Sequence, residues 1–365
     1  MVKNKKSKNY FKIIYLKIII LIFLIYHFIK KNFFRKKVGI IGLPHSQNIG
    51  NNLLKYAIYI KLSQLGYNPF IVGRRYMNHN ISFINQTTQL RIINESFNEI
   101  KENNFDILMV NSDQTWRKWT IGNEDPFFYD IAFLKFSEKW DKPKFVYGAS
   151  IGIDKWEFNK NDEETAKYLL KNFTGISIRE KGTIKYIEDH LGLNAEFVLD
   201  PTFLINKNYY LNLIQNYKND IIINDSFILV YKISESISIL NYINNIKNKY
   251  NYKIYLINLN ITNNIQKFIY GIYKCKGIIT DSYHGTLFSI IFNKPFISFI
   301  FEDNGKERFN SLKEILNISD RIYDLNSSPN INLIETPLNI NMTLLKYLKK
   351  RSIAFLKKNL NFNIF

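Results

Sequence analysis

The chain has 365 residues, 46% apolar and 16% aromatic, enough to build cores for two or three domains and too much for a disordered protein. A single cysteine, Cys275, excludes a disulfide framework within the chain and a cysteine-based zinc cluster. The formal charge is +19, but residues 1–37 hold eleven Lys/Arg and residues 342–365 another six, with no acid in either segment. The 304 residues between them carry only +2, so the body lacks the basic stripe that a nucleic-acid groove needs, whereas the ends suit an anionic membrane surface.

The N-terminal segment has an apolar run, Ile13–Ile29, between Lys3–Lys8 and Lys30–Lys37. The run is shorter than the ~20 residues of a spanning helix and Lys17 interrupts it. Spanning in either direction would carry a basic cluster against the positive-inside bias. No small-residue cleavage site follows, so a secretory signal is discounted. The expectation is a membrane-associating helix over residues 1–37 that lies in the cytoplasmic interface, monotopic rather than single-pass.

From residue 38, β-branched runs alternate with amphipathic stretches, the pattern of βαβ units on parallel sheets. Strands are predicted at Val38–Leu43, Phe70–Gly73, Asp106–Asn111, Lys144–Ser150, Gly175–Arg179 and Glu196–Leu199. Helices are predicted at Asn48–Gly66, with Gly66 as C-cap, and around Ile93–Lys101. Asn206–Asp225 reads as a helix and connector. A second set follows: strands Phe227–Lys232, Tyr252–Ile257, Gly277–Thr280 and Phe296–Phe301, with helices Ile237–Lys249, Asn264–Lys274 and Gly285–Phe292. The expected fold is α/β, with two Rossmann-like lobes (38–205 and 226–330) facing a cleft, joined by the connector 206–225. Residues 331–365 end in a basic amphipathic helix that either packs on the last lobe or makes a second membrane contact.

In such sheets ligands sit beyond the carboxyl ends of strands. Leu43–Leu53, with Asn48 and Asn51, is a polar loop opening a helix. It offers N–H groups to an anion or a sugar, or serves only as turn and cap. Asn111-Ser112-Asp113-Gln114-Thr115-Trp116-Arg117 follows a strand, and Trp116 could stack on a sugar unless the segment is a satisfied turn. Arg179 ends another strand and could grip a carboxylate or phosphate in bidentate fashion, or pair with Glu180. Asp281-Ser282-Tyr283-His284-Gly285-Thr286 joins a strand to a helix, where a histidine can act as acid or base beside an anion-favouring helix N-terminus. Arg308 could bring a second guanidinium to the same place. The other histidines show no metal-ligand spacing, no Asp-x-Asp occurs, and nucleophile-elbow and Walker A motifs are absent, so no metal is expected.

These segments resemble the polysaccharide pyruvyl transferases. The resemblance rests on Asn48-Ile49-Gly50-Asn51 with Tyr56-Ala57, Asn111–Trp116, Ser177-Ile178-Arg179-Glu180, Leu199-Asp200-Pro201-Thr202, Asp281–Thr286 with Phe288-Ser289, Pro295-Phe296 and Arg308-Phe309, in order over residues 38–325. It implies a GT-B-like two-lobed transferase moving an enolpyruvyl unit from phosphoenolpyruvate to a sugar hydroxyl of a surface glycan or its lipid-linked precursor, to give a pyruvate ketal. It carries Arg179 over as carboxylate or phosphate clamp and His284 as acid/base or phosphate contact. Asp113, by its placement, would orient the sugar hydroxyl. Ser282, Gly285, Thr286 and Arg308 are then expected on the donor, and Asn48, Asn51, Gln114 and Trp116 on the acceptor. No cofactor and no nucleic acid is expected, and the setting is the cytoplasmic face of the cell membrane. The alternatives are a nucleotide-sugar glycosyltransferase of the same architecture and a non-catalytic module of a glycan assembly.

Overall fold

The computed structural model describes residues 35–43, 48–72, 92–93, 96–121, 125–217, 227–234, 236–250, 252–258, 264–301 and 305–361. The first lobe holds strands β1 (Lys37–Ile41), β2 (Asn68–Val72), β3 (Ile92–Ile93), β4 (Ile107–Val110), β5 (Lys144–Ala149), β6 (Gly175–Ile178) and β7 (Glu196–Phe197). They form one parallel sheet in the order β3-β2-β1-β4-β5-β6-β7. The second lobe holds β8 (Phe227–Lys232), β9 (Lys253–Asn258), β10 (Gly277–Thr280), β11 (Phe296–Ile300) and β12 (Ile322–Asp324), parallel in the order β12-β11-β10-β8-β9. Every residue of β4, β5, β8, β10 and β11 is buried. Strands covered on both faces can be apolar throughout, which is why the sequence shows continuous runs here rather than alternation. Strand order reverses between β1 and β4 in one sheet and between β8 and β10 in the other, and in open α/β sheets such reversals are where ligands bind.

The described helices are α1 (Ile49–Gln64), α2 (Lys118–Ile121), α3 (Phe128–Phe133), α4 (Lys160–Leu170), α5 (Ile184–Leu191), α6 (Lys207–Asn212), α7 (Ile237–Tyr250), α8 (Ile265–Lys274), α9 (Tyr283–Ile291), α10 (Lys306–Leu316) and α11 (Met342–Leu360). Asn48 caps α1 by accepting from the Asn51 amide at 3.2 Å, and Gly66 turns the chain away with φ +92°. An apolar seam joins the lobes: Tyr56 of α1 meets Tyr210 of α6, which packs edge-on against Phe288 of α9. The Tyr56 hydroxyl donates to Tyr209 O at 2.9 Å, which fixes the ring in that seam.

Three expectations are corrected. No helix forms at residues 96–100; Ile92 and Ile93 instead pair with β2, and Phe97–Glu99 is a turn. The β-branched pair finds a sheet edge, and Phe97 is buried in a stack with Phe136. The helix after β10 starts at Tyr283 rather than Gly285, because Ser282 is its cap. The terminal helix α11 packs on the first lobe, not the last. Phe355 meets Phe145 and Tyr147 of β5, Leu199 N donates to Ser352 Oγ at 2.9 Å, and Thr174 Oγ1 donates to Asn359 Oδ1 at 2.8 Å. Among the described residues no helix is long and apolar enough to cross a membrane. The expected membrane-associating segment lies outside them except for Arg35–Lys37.

Candidate active site

Side chains from the carboxyl ends of both sheets converge between the lobes. Asn48 and Asn51 follow β1, Asp113 and Gln114 follow β4, Ser282–His284 follow β10, and Arg308 stands near the start of α10. All of these line a pocket of about 220 Å³. The loop 44–47, with His45, lies outside the described residues.

Arg179, just beyond β6, is the electrostatic hub. Its Nη2 donates to Asp113 Oδ1 at 2.7 Å and its Nη1 donates to Asp200 Oδ2. Its Nε lies 3.7 Å from Glu180 Oε1. Asp200 is held in turn by Thr202, whose amide and hydroxyl donate to Oδ1 at 2.9 and 2.7 Å. The Tyr283 ring packs against two guanidiniums at once, with Arg179 Cζ 5.1 Å and Arg308 Cζ 4.8 Å from its centroid. Arg179, expected as a donor clamp, does not line the pocket. Its side chain is wholly buried and its fork is already taken by two carboxylates, since a buried guanidinium needs counter-charge. Arg308 is the guanidinium that lines the pocket, with its Nη1 3.6 Å from Asp113 Oδ1.

Asp113 adopts φ +90°, a conformation that aspartate tolerates better than most residues. Its carbonyl accepts from the amides of Thr115 at 2.6 Å and Ser150 at 2.9 Å, so the turn closes on itself and is tied to the end of β5. Burial opposes its charge, but Arg179, His284 and Arg308 together outweigh burial and draw the carboxyl down to about 2. Glu180 sits deeper, and there burial wins over Arg179 and the Ser150 hydrogen bond and raises the carboxyl.

His284 occupies the first turn of α9, with Nε2 3.9 Å from Asp200 Oδ2 and no hydrogen-bond partner among the described residues. Burial lowers its pKa from the ordinary value, more than Asp200 and Asp113 raise it, which favours the neutral imidazole. The α9 N-terminus is tied down by Ser282 Oγ, which accepts from Gly285 N at 3.2 Å. Asp281 adds a second tie, taking the amides of Ile233 and Ser234 after β8 at 2.7 and 2.9 Å.

Of the other expected site residues, Asn48, Asn51, Gln114 and Ser282 line the pocket. Gly285 and Thr286 do not. A Cβ on Gly285 would press into Thr280 and Tyr231, and the Thr286 hydroxyl is engaged with Ser298 Oγ at 2.7 Å and Ser282 O at 3.1 Å. Both close α9 onto the sheet instead of meeting a ligand. Trp116 is also corrected: it is 1% exposed, donates from Nε1 to Ala132 O at 3.0 Å and packs on Phe133. The turn after Asp113 sends the indole under α3, so no stacking surface is left.

Reading the sequence missed Asp200, Tyr283 and Lys55. Asp200 is an acid directly beyond the strand Glu196–Leu199, within a segment that carries the family resemblance, but the sequence alone assigns it no role. Lys55 was visible as a lone cation in an apolar stretch of α1. Its Nζ donates to Leu43 O at 2.7 Å, and burial lowers the ammonium to about 7 against the pull of Asp113.

The family model described as polysaccharide pyruvyl transferase matches residues 48–302, a span that contains every one of these groups except Arg308. No curated protein matches the sequence. Among solved structures, UDP-GlcNAc 2-epimerase from Neisseria meningitidis bound to UDP-GlcNAc is similar, with 12% identity and a TM-score of 0.56 over 88% of this chain and 100% of that one. The S. aureus MnaA–UDP structure aligns with 13% identity and a TM-score of 0.49 over 89% of this chain and 97% of that one. At 12% identity the likeness to the epimerase structure is one of fold alone, two facing α/β lobes with parallel sheets.

Proposed function

The chain belongs to the polysaccharide pyruvyl transferase family, and from that premise we propose that it moves an enolpyruvyl unit from phosphoenolpyruvate to a sugar hydroxyl of a surface glycan or its lipid-linked precursor. The observation that carries this reading is the size and charge of the pocket. Its volume of about 220 Å³ falls below the roughly 300–1,000 Å³ of sites for drug-sized ligands. It is lined by Arg308, by His284, by the first residues of a nine-residue helix and by the carboxylate of Asp113, which lies 3.6 Å from Arg308 Nη1. A small, highly charged anion suits that combination.

Protonation of the donor's C3 makes C2 electrophilic. A first sugar hydroxyl then adds to C2 and its proton leaves with inorganic phosphate, and a second hydroxyl of the same sugar adds to that C2, returns its proton to the His284 imidazole and closes the ketal. The neutral imidazole of His284 is the group positioned to serve as the acid. Negative charge arriving beside it favours the imidazolium, so donor binding itself loads the proton. Arg308 pairs with the donor's anionic groups and is held by the Tyr283 ring. A carboxyl drawn down to about 2 is a poor base, so Asp113 accepts a hydrogen bond from the sugar hydroxyl and orients it without removing its proton. Charge is met by guanidinium and helix-end N–H groups, and the reaction is proposed to need no metal or cofactor. Phosphoenolpyruvate is a cytoplasmic metabolite, so residues 1–37 are proposed to hold the enzyme at the inner face of the membrane.

The test is thermal unfolding of the purified protein with phosphoenolpyruvate and, separately, with UDP-sugars. Stabilisation by the former alone is expected. Stabilisation by a UDP-sugar alone would replace this reading with a glycosyltransferase.

A further inference from the structure

The terminal helix α11 has two unlike faces. Ser352, Phe355, Leu356, Asn359 and Leu360 are buried against the first lobe. At helical spacing on the other side, Lys346, Tyr347, Lys350, Arg351, Lys357 and Lys358 are all exposed. From Lys346 to Lys358 this stripe runs for about 18 Å at 1.5 Å per residue. It contains no acid, and the counter-charge found on it is Glu196, 3.5 Å from Lys358 Nζ. Tyr347 is 54% exposed in the stripe and Met342 is 55% exposed at the start of the helix. The neighbouring helix adds Lys61 at its last turn, where the charges of Lys61 and Lys357 and of Lys61 and Lys349 repel one another. The stripe ends where the chain enters the fold: Tyr67 donates to Asn361 at 2.7 Å, and the next amide, Asn68 N, donates to Lys36 O at 2.9 Å. Residues 1–34, with eight Lys/Arg and no acid, therefore join the body at the same end of the lobe as Lys357 and Lys358.

We propose that the exposed face of α11 is a second docking surface for an anionic lipid bilayer, one that lays the first lobe against the membrane instead of letting the enzyme hang from its N-terminal segment. The ordered lysines supply attraction to headgroups, and Tyr347 and Met342 supply the amphipathic contact found at such interfaces. A flat polyanion would meet the same charges, but it would not reward the exposed aromatic and thioether side chains. The inference extends the proposal that the enzyme works at the inner leaflet. Its experiment reads binding and orientation rather than turnover, so either can fail alone.

In the full chain, Tyr347→Cys is labelled with an environment-sensitive dye, the native Cys275 being buried. Tyr168→Cys on α4, packed on the opposite face of the first sheet and 53% exposed, is the control. On phosphatidylcholine vesicles containing a quarter phosphatidylglycerol, the Tyr347 label is expected to shift to the blue and the Tyr168 label to stay in water. The shift should weaken as salt is raised and be absent on pure phosphatidylcholine. Adding Lys346→Gln, Lys350→Gln and Arg351→Gln to the labelled protein should reduce the shift at least tenfold, since about 1 kcal/mol per residue near an anionic surface is about fivefold each. A Tyr347 label that stays in water on anionic vesicles would overturn the proposal. So would a shift indifferent to the three glutamines, or an equal shift on duplex DNA.

Discussion

A Cβ on Gly50 would stand 2.7 Å from His284 Cβ and closer still to the imidazole ring. Gly50 lies in the first turn of α1 in one lobe and His284 in the first turn of α9 in the other. The two helix starts are thus in direct contact, and the absence of a side chain on one sets where the ring of the other can lie. Gly50→Ala is expected to push the imidazole off Asp200 and lower turnover by about a hundredfold or more, as small misplacements of a reacting group do. The thermal midpoint should fall as well, by the equivalent of about 1–3 kcal/mol of overpacking, since the clash reaches the buried Cβ of His284 and the gain in helix propensity is smaller. Turnover within threefold of wild type would show that the ring position is not set by this contact.

Arg179 and Arg308 should fail in different ways. Arg179→Met leaves Asp113 and Asp200 buried without their counter-ion and should cost about 3–5 kcal/mol of stability. Arg308→Met removes a cation whose charge is disfavoured first by burial and then by Arg179, so the denaturant midpoint should hold while stabilisation by phosphoenolpyruvate disappears. Equal destabilisation of both variants would contradict the division of roles.

Burial holds the His284 pKa below 6.5 in the folded protein. In that window the unfolded chain binds the proton more readily, so the contribution of His284 to stability is complete above about pH 6.5 and is lost as pH falls through the folded-state value. His284→Asn should flatten this part of the pH–stability curve. Phosphoenolpyruvate brings negative charge and should raise the same pKa, so calorimetry near pH 6.5 in buffers of different ionisation enthalpy should find proton uptake on binding. Proton release would reverse the assignment of His284 as the acid loaded by the donor.

Trp116→Ala should act on folding rather than on the acceptor. Loss of a fully buried indole and its hydrogen bond to Ala132 costs about 3–5 kcal/mol. A folded variant with normal stability and a raised acceptor KM would return Trp116 to the site.

Much of the architecture was legible because parallel sheets leave strong local signs. Strands buried on both faces read as unbroken apolar runs, and Phe227–Lys232 and Gly277–Thr280 were bounded to the residue. Functional groups in such sheets lie just beyond strands, so Asp113, Arg179 and His284 could be singled out from position alone. Asn48 announced its helix as a cap, a matter of three or four neighbouring residues, whereas the cap role of Ser282 was not legible and the start of α9 was placed two residues late.

What the tertiary structure decided is where those strand ends point and what they meet. Whether Arg179 faces a ligand or a carboxylate depends on Asp113 and Asp200, which are 66 and 21 residues away in sequence. Whether Trp116 faces the cleft or α3 depends on a turn held by Ser150, directly after β5. The amphipathic pattern of α11 identified its buried face but not its partner, which proved to be the distant first lobe through Phe145 and Tyr147. Periodicity records how much of a segment is buried, because burial acts on each side chain in turn. It carries no record of which element does the burying, because dispersion and desolvation reward any apolar surface alike until close packing selects one.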